Sequence, residues 1–440
     1  MHNSLSKLAP ADYVAEATRR AGQVDGLDPA GRLRPLDSVG IIGAGTMGGG
    51  IAMNFATAGI PVVIVETRQE ALERGLATVR RNYRNSADKG RFPQEEVEKR
   101  MARISASLEL EALAGCDLVI EAVYENLDLK KQIFARLDAI VKPGAILATN
   151  TSALDVDAIA SATGRPEDVI GLHFFSPANV MKLLEIVRAE HTQDDVVATS
   201  MDLARRIGKI AVLVGVCHGF VGNRMLAARR EQANKLLFKG LAPWDIDEAI
   251  VGFGFKMGPY QMSDLAGLDI GWSSGAKTGN PIRDALCELD RRGQKTGAGY
   301  YDYDAGRNRL PSEVAARVIR EVTGAEPASL PAEEIVERLM APMINEAFRI
   351  LEENKAQRPS DIDVVWLNGY GFPPGRGGPM YYADQLGAAR ILARMEELAA
   401  EDPAFAPAAT LRRLATEGGS FLDLDLGGLR TGGKRQGETA

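Results

Sequence analysis

Apolar and polar positions change rhythm once along this chain. Between Ser38 and Gly219, short apolar runs alternate with amphipathic segments. The runs SVGIIGAG, PVVIVE (Pro61 to Glu66), DLVIEAV, AILATN, VIGLHFF, LLEIV and KIAVLVG predict strands, and Met47 to Ala58 predicts a helix of small residues. Such alternation predicts a parallel sheet covered on both faces by helices. After Gly219 the strand pattern stops, and the periodicity predicts helices to the end. Residues 1–36 carry a short helical pattern and then polar, Gly/Pro-punctuated sequence, which predicts an arm or a linker.

Two stretches of the helical part resemble each other. Gly219 to Asp264 and Glu334 to Asp384 each hold an apolar helix and an Asp-Ile-Asp at the start of the next one. Each continues with Gly-x-Gly-Phe, then Gly-Pro, before a closing Asp. A repeat of this size predicts two copies of one helical domain packed together. The expected domains are therefore an α/β domain over 37–218, helical domains over 219–325 and 326–425, and a flexible tail over 426–440.

Composition narrows the function classes. The 440 residues are 45% hydrophobic and 25% charged, and a formal net charge of -7 gives no reason to expect nucleic acid as a partner. No run approaches ~20 apolar residues, so no membrane span is expected. Cys116, Cys217 and Cys287 are far apart, odd in number and without metal-ligand spacing, which suits a reducing cytosol and no metal site. The N-terminal residues lack the apolar core of a signal peptide, and the final GETA matches no peroxisomal or lipid-anchor signal. A cytoplasmic location is expected.

The first strand runs straight into GAGTMG, which places Gly43, Gly45 and Gly48 in the G-x-G-x-x-G spacing around Thr46 and Met47. The first glycine permits a tight turn and the second lets the backbone approach a pyrophosphate. The third lets helix and strand pack closely, with the pyrophosphate at the helix N-terminus. Glu66 ends PVVIVE at the distance the dinucleotide fingerprint requires. A carboxylate there accepts hydrogen bonds from ribose hydroxyls and repels a 2′-phosphate, which predicts NAD rather than NADP; Arg68 softens that preference. The expected fold is a doubly wound Rossmann-type domain followed by two homologous all-helical domains.

His173 ends an apolar run, and Glu185 lies inside the next one. Ligands bind outside the carboxyl ends of parallel strands. Oxidising a carbinol requires a base for the hydroxyl proton, and an imidazole meets that need. A carboxylate beside it fixes the ring tautomer and favours the imidazolium formed. Glu185 fills that role if LLEIV returns beside His173; otherwise the two are ordinary core residues.

HFFSPANVMKLLEIV, GAGTMG, ATNTSAL, GFVGNR and KTGAGYYDY together resemble the L-3-hydroxyacyl-CoA dehydrogenase family of fatty-acid β-oxidation, in unbroken order from residue 38 to about 390. The doubled helical part resembles the multifunctional β-oxidation enzymes, in which an enoyl-CoA hydratase domain precedes the dehydrogenase. Residues 1–36 look like the linker that follows such a domain, and hydratase activity is not expected of this chain. The resemblance implies His173 as general base, Glu185 as its partner, Ser152 on the reacting oxygen and Asn223 as a further polar contact to the substrate. It implies Glu125, Lys130 and Lys295 near the cofactor. Ser176 stands where many relatives have Asn, so a contact to the carboxamide end of NAD needs a water. Arg80 to Arg103 holds eight Lys/Arg against four Asp/Glu, and in the family the corresponding segment receives the phosphates of coenzyme A. Arg84 and Lys89 are the expected contacts, against a solvated hairpin as the plain alternative.

Aligned on the first helical copy, the second has Glu337 where Asn223 stands, so a catalytic role there is not expected. A chain holding both copies can bury that face internally, which predicts a monomer; a hydratase or a thiolase is the partner class implied. The competing readings are another two-domain hydroxy-acid dehydrogenase and an inactive NAD-binding structural or sensor protein. Neither explains the full set His173, Glu185, Ser152 and Asn223.

Overall fold

The computed structural model describes residues 5–28, 31–275 and 277–424; the expected tail over 426–440 lies outside them. The chain divides into two compact units. The first takes the residues up to Arg224, then Arg349–Tyr370 and those from Ser420 on; the second takes Met225–Phe348 and Gly371–Gly419. Most of both helical segments of the repeat thus share one unit; the start of the first, through Arg224, and the stretch around the second Asp-Ile-Asp belong to the other.

The first unit is built on an eight-stranded sheet of β1 (Val39–Ile42), β2 (Val62–Val65), β3 (Ile104–Ser107), β4 (Leu118–Glu121), β5 (Ile146–Thr149), β6 (Val169–Phe174), β7 (Leu183–Arg188) and β8 (Ile210–Gly215). The spatial order is β3-β2-β1-β4-β5-β6-β7-β8. Strands β1 to β6 are mutually parallel, and β1, β4 and β5 are buried throughout, as a sheet covered on both faces requires. A wholly parallel sheet is not what forms. β7 runs antiparallel to β6, with β8 parallel to β7. The connection over residues 175–182 is too short for a crossover, which takes a dozen residues or more, so the chain can only turn back. That return sets His173 directly opposite Glu185.

β3 is absent from the sequence expectation because ISAS is no apolar run. It is an edge strand with no fully buried residue, so half-polar sequence suffices. On β2's side of the sheet, α2 (Thr46–Thr57) packs against β1 and β2, and α3 (Gln69–Asp88) and α4 (Glu95–Met101) follow. The helix Leu127–Ile140 links β4 to β5.

The described part of residues 1–36 is more than a spacer. The helix α1 (Pro10–Ala21) packs on the helix Pro359–Gly369, where fully buried Tyr13 donates its hydroxyl to Asp363 at 2.5 Å. Farther on, the Arg34 guanidinium bonds Asp168 at 2.6 Å and Asp195 at 2.9 Å. The outer edge of β8 is met by the Lys355–Ala356 backbone, with Gly215 N–H donating to the Lys355 carbonyl at 2.9 Å.

The second unit is mainly helical but not wholly so. Strands β9 (Tyr301–Tyr303) and β10 (Arg309–Pro311) form a small antiparallel hairpin after Gly219, where helices alone were expected. Alternating Tyr-Asp-Tyr before a turn-forming Asp-Ala-Gly gives a two-residue period too short to stand out from its neighbours. Buried Asp247 accepts from the Tyr260 and Gln261 amides and from the Tyr301 hydroxyl at 2.8 Å. Burial pushes its carboxyl up to about 6. Among the described residues no helix is long and apolar enough to cross a membrane, and no group of three His, Cys, Asp or Glu could hold a metal ion.

Candidate active site

The glycine turn between β1 and α2 is dictated by close approach. Gly43 has φ +102°, and a Cβ there would lie 2.7 Å from the Ala122 carbonyl oxygen. At Gly48 a Cβ would stand 1.9 Å from the Gly43 carbonyl oxygen. Gly45 is different, because a Cβ built there meets nothing within 4 Å. Gly45 is the N-cap of α2, whose first backbone amides, at Thr46 and Met47, are the kind of donor a pyrophosphate needs. Glu66 sits at the end of β2, with Oε2 accepting from the Ala44 amide at 3.2 Å and Oε1 from the Thr67 amide at 2.7 Å. Partial burial pushes its carboxyl up, but those amides and Arg68 outweigh it and hold it below the usual carboxylate range.

At the carboxyl end of β6, the His173 Nδ1 lies 2.7 Å from Glu185 Oε2. His173 is 5% exposed and Glu185 is fully buried. Facing a carboxylate, Nδ1 carries the proton, and Nε2 is left with its lone pair. The ring is packed by Phe175 at 4.4 Å and Phe220 at 5.7 Å between centroids. The other Glu185 oxygen accepts the Gly222 amide at 3.1 Å, from the first turn of the helix Gly222–Phe238. That residue must be glycine, since a Cβ would lie 2.2 Å from the Tyr370 ring.

Asn223 follows on the same turn. Its Nδ2 donates to the Ser152 carbonyl at 3.3 Å, and its Oδ1 accepts the Tyr370 hydroxyl at 2.8 Å. The Tyr370 hydroxyl is held well above its ordinary range by burial, with the Glu185 charge adding to it. It stays protonated and keeps the amide of Asn223 in one orientation. Sequence reasoning passed over Tyr370, which lies 147 residues from Asn223 and has no local motif to mark it.

Ser152 belongs to a second polar chain. Its amide and its hydroxyl both point at Glu125 Oε1, at 2.8 and 3.2 Å. Thr151 donates to the same oxygen at 2.6 Å. Burial pushes the Glu125 carboxyl up, but the Thr151 and Ser152 bonds and nearby Lys130 outweigh it and lower it. Lys130 does not face solvent. It is 1% exposed, with Nζ 2.7 Å from Glu121 Oε1 and 3.3 Å from Glu125 Oε2. Glu121, fully buried at the end of β4, is, with Tyr370, a residue that sequence reasoning missed. The only local trace of it is a titratable side chain inside the apolar run DLVIEAV, and nothing local names its partners.

The structure therefore gathers His173, Glu185, Asn223, Ser152, Glu125 and Lys130 through direct bonds within one unit. Ser176 is exposed just beyond β6. Arg84 and Lys89 lie exposed on α3 and at its end; Arg84 Nη2 is 4.0 Å from Glu98. Lys295 lies in the second unit, bonded to Asp269 and about half exposed.

Comparison with known proteins points one way. Residues 38–217 match the description of the 3-hydroxyacyl-CoA dehydrogenase NAD-binding domain, and residues 219–303 and 335–420 match that family's C-terminal domain. The peroxisomal bifunctional enzyme of Cavia porcellus is 46% identical over 416 residues, covering 88% of this chain and 57% of the relative, so the chain spans little more than half that protein's length. A crystal structure of 3-hydroxybutyryl-CoA dehydrogenase from Escherichia coli K12 superposes with a TM-score of 0.74 at 27% identity, covering 87% of this chain and 99% of the other. The dehydrogenase part of multifunctional enzyme 1 from C. elegans gives 0.66 at 31% identity, covering 91% and 96%.

Proposed function

The chain belongs to the 3-hydroxyacyl-CoA dehydrogenase family, and on that premise we propose that it oxidises (3S)-3-hydroxyacyl-CoA thioesters reversibly to 3-oxoacyl-CoA. One observation carries the reading: a buried imidazole, bonded through Nδ1 to a buried carboxylate, at the carboxyl end of the sheet that also presents the glycine turn. NAD is the cofactor of this domain family, and when bound it accepts the hydride from C3. The open side of Gly45, the α2 amides and Glu66 suit its pyrophosphate and adenosine ribose.

The protein's own residues account for the proton. His173 Nε2 takes the hydroxyl proton as C3 loses hydride, and Glu185 stabilises the imidazolium formed. The Gly222 amide holds the other oxygen of Glu185, which steadies the carboxylate that orients the ring. Ser152 and Asn223 supply hydrogen bonds around the reacting oxygen. Glu125, Lys130, Lys295 and, through a water, Ser176 serve the nicotinamide end of the cofactor. Arg84 and Lys89 receive the phosphates of coenzyme A.

The two helical segments act as copies of one domain that pair within the chain and leave a monomer; an obligate dimer by light scattering would contradict this. The relative's name places it in peroxisomes, and the three unpaired thiols suit any reducing compartment. A hydratase or a thiolase is the partner class that fits this chemistry. The decisive experiment is NADH formation from 3-hydroxyacyl-CoA thioesters of increasing length, with both C3 enantiomers and the free 3-hydroxy acid as controls. Turnover confined to the (3S) thioesters is expected; equal turnover of the free acid would refute the substrate class.

A further inference from the structure

Glu121 is fully buried, where Glu125 is partly exposed, and both Glu121 carboxylate oxygens are hydrogen-bonded. Its Oε1 accepts the Val123 amide at 2.7 Å and Lys130 Nζ at 2.7 Å; its Oε2 accepts the Thr149 hydroxyl at 2.7 Å. A charge taken fully out of water survives only when it is paired and hydrogen-bonded in this way. From Glu121 two routes lead to the same loop. One passes through Lys130 to Glu125, and from there to the Ser152 amide and hydroxyl. The other passes through Thr149, whose hydroxyl oxygen accepts the Thr151 amide at 3.3 Å, and Thr151 in turn donates to Glu125.

The charges decide what Ser152 presents. Two carboxylates share one buried ammonium, so the network keeps a net negative charge beside the serine, and Glu125 stays an acceptor. A hydroxyl has one proton and two lone pairs. With that proton directed at Glu125, the oxygen offers lone pairs to whatever lies on its other side. We propose that Glu121 is a positioning residue: through Lys130 and Glu125 it holds the Ser152 hydroxyl as an acceptor for the substrate's C3 alcohol. This rests on the reaction proposed above and deepens it. The alcohol O–H gives its hydrogen bond to Ser152 until His173 removes the proton. Without Glu121, Lys130 draws Glu125 into a closer pair and off the serine.

The test is a double-mutant cycle in the full chain, because a residue acting through Ser152 loses its effect when the hydroxyl is gone, whereas a merely structural residue does not. Glu121→Gln should lower kcat for 3-hydroxyacyl-CoA oxidation by about 10- to 100-fold, as removal of a supporting partner does elsewhere. In a Ser152→Ala background the same change should cost less than about threefold. Should Glu121→Gln fail to fold, Thr149→Val cuts one bond of the same network without removing a charge. It should cost about 3- to 10-fold in kcat, again abolished by Ser152→Ala. Wild-type kcat in Glu121→Gln, or losses that simply multiply in either double mutant, would overturn the proposal while leaving the dehydrogenase reading intact. A wild-type chain that oxidises no 3-hydroxyacyl-CoA would overturn both.

Discussion

Two polar clusters in this molecule make opposite use of the same kinds of residue. At the sheet, His173, Glu185, Ser152, Asn223 and Glu125 are bonded to one another, but each chain of bonds stops short of closing. The imidazole keeps one nitrogen lone pair and the serine keeps its oxygen lone pairs. In the second unit, Glu334 and Glu337 are bound by Arg338, Arg390 and Arg394, with Arg394 reaching Glu334 at 2.6 Å and Glu337 at 3.1 Å. Partial burial pushes the Glu334 carboxyl up, yet Arg394 and Arg338 outweigh it and lower it. Glu337 aligns with Asn223 in the repeat. An amide at that position can donate and accept at once, and it links a serine to a tyrosine. A glutamate can only accept, and two arginines claim it. One cluster spends its polarity on what lies outside it; the other spends it on itself.

The sharpest way to break this contrast is at the imidazole. His173→Gln should lower kcat by about 10²–10⁴ while NAD still binds by fluorescence titration. A turnover near wild type would take His173 out of the chemistry. Next comes Asn223→Ala, expected to reduce kcat/KM by about 10- to 100-fold, since it removes the proposed contact to the reacting oxygen and takes away the acceptor of the Tyr370 hydroxyl bond. Glu337→Gln tests the other side. Steady-state rates should not change, and urea denaturation should report a loss of about 1–2 kcal/mol from two arginines left short of a carboxylate. Lost activity with intact stability would erase the distinction between the clusters.

The smallest effect concerns Lys209, whose ammonium donates to the Ala178 and Met181 carbonyls at 2.6 Å each and so ties down the chain between β6 and β7. Burial pushes its pKa down to about 8. The unfolded chain therefore keeps this proton to higher pH than the folded one. Stability should rise as pH climbs from about 8 towards the ordinary lysine value of ~10.4. Lys209→Met should flatten that rise in melting temperature; an unchanged slope would assign it to other groups.

What the sequence made legible was local, or nearly so. Apolar runs marked the strands and the glycine spacing marked the turn, whereas the pairing of His173 with Glu185 stayed conditional on LLEIV returning beside it, which the antiparallel β7 then did. β3 escaped because an edge strand tolerates polar residues. Tyr370 and Glu121 escaped for another reason. Tyr370 reaches Asn223 across 147 residues, and Lys130 finds Glu121 only because strand and helix pack as they do. Such partners follow from tertiary geometry, and no spacing rule encodes them. The cationic stretch around Arg84 shows the converse: it was legible as charge, and its own acids, such as Glu98, answer part of it.

The first unit is threaded from pieces far apart in sequence, and this governs how it can be made. A nascent chain that has emerged only as far as Arg224 has β8 without the Lys355–Ala356 backbone on its outer edge and Tyr13 without Asp363. Both wait for Arg349–Tyr370. Until that stretch leaves the ribosome the sheet is an open template for wrong pairing. Chaperone retention during translation should end only after the codons for residues 349–370 have been read.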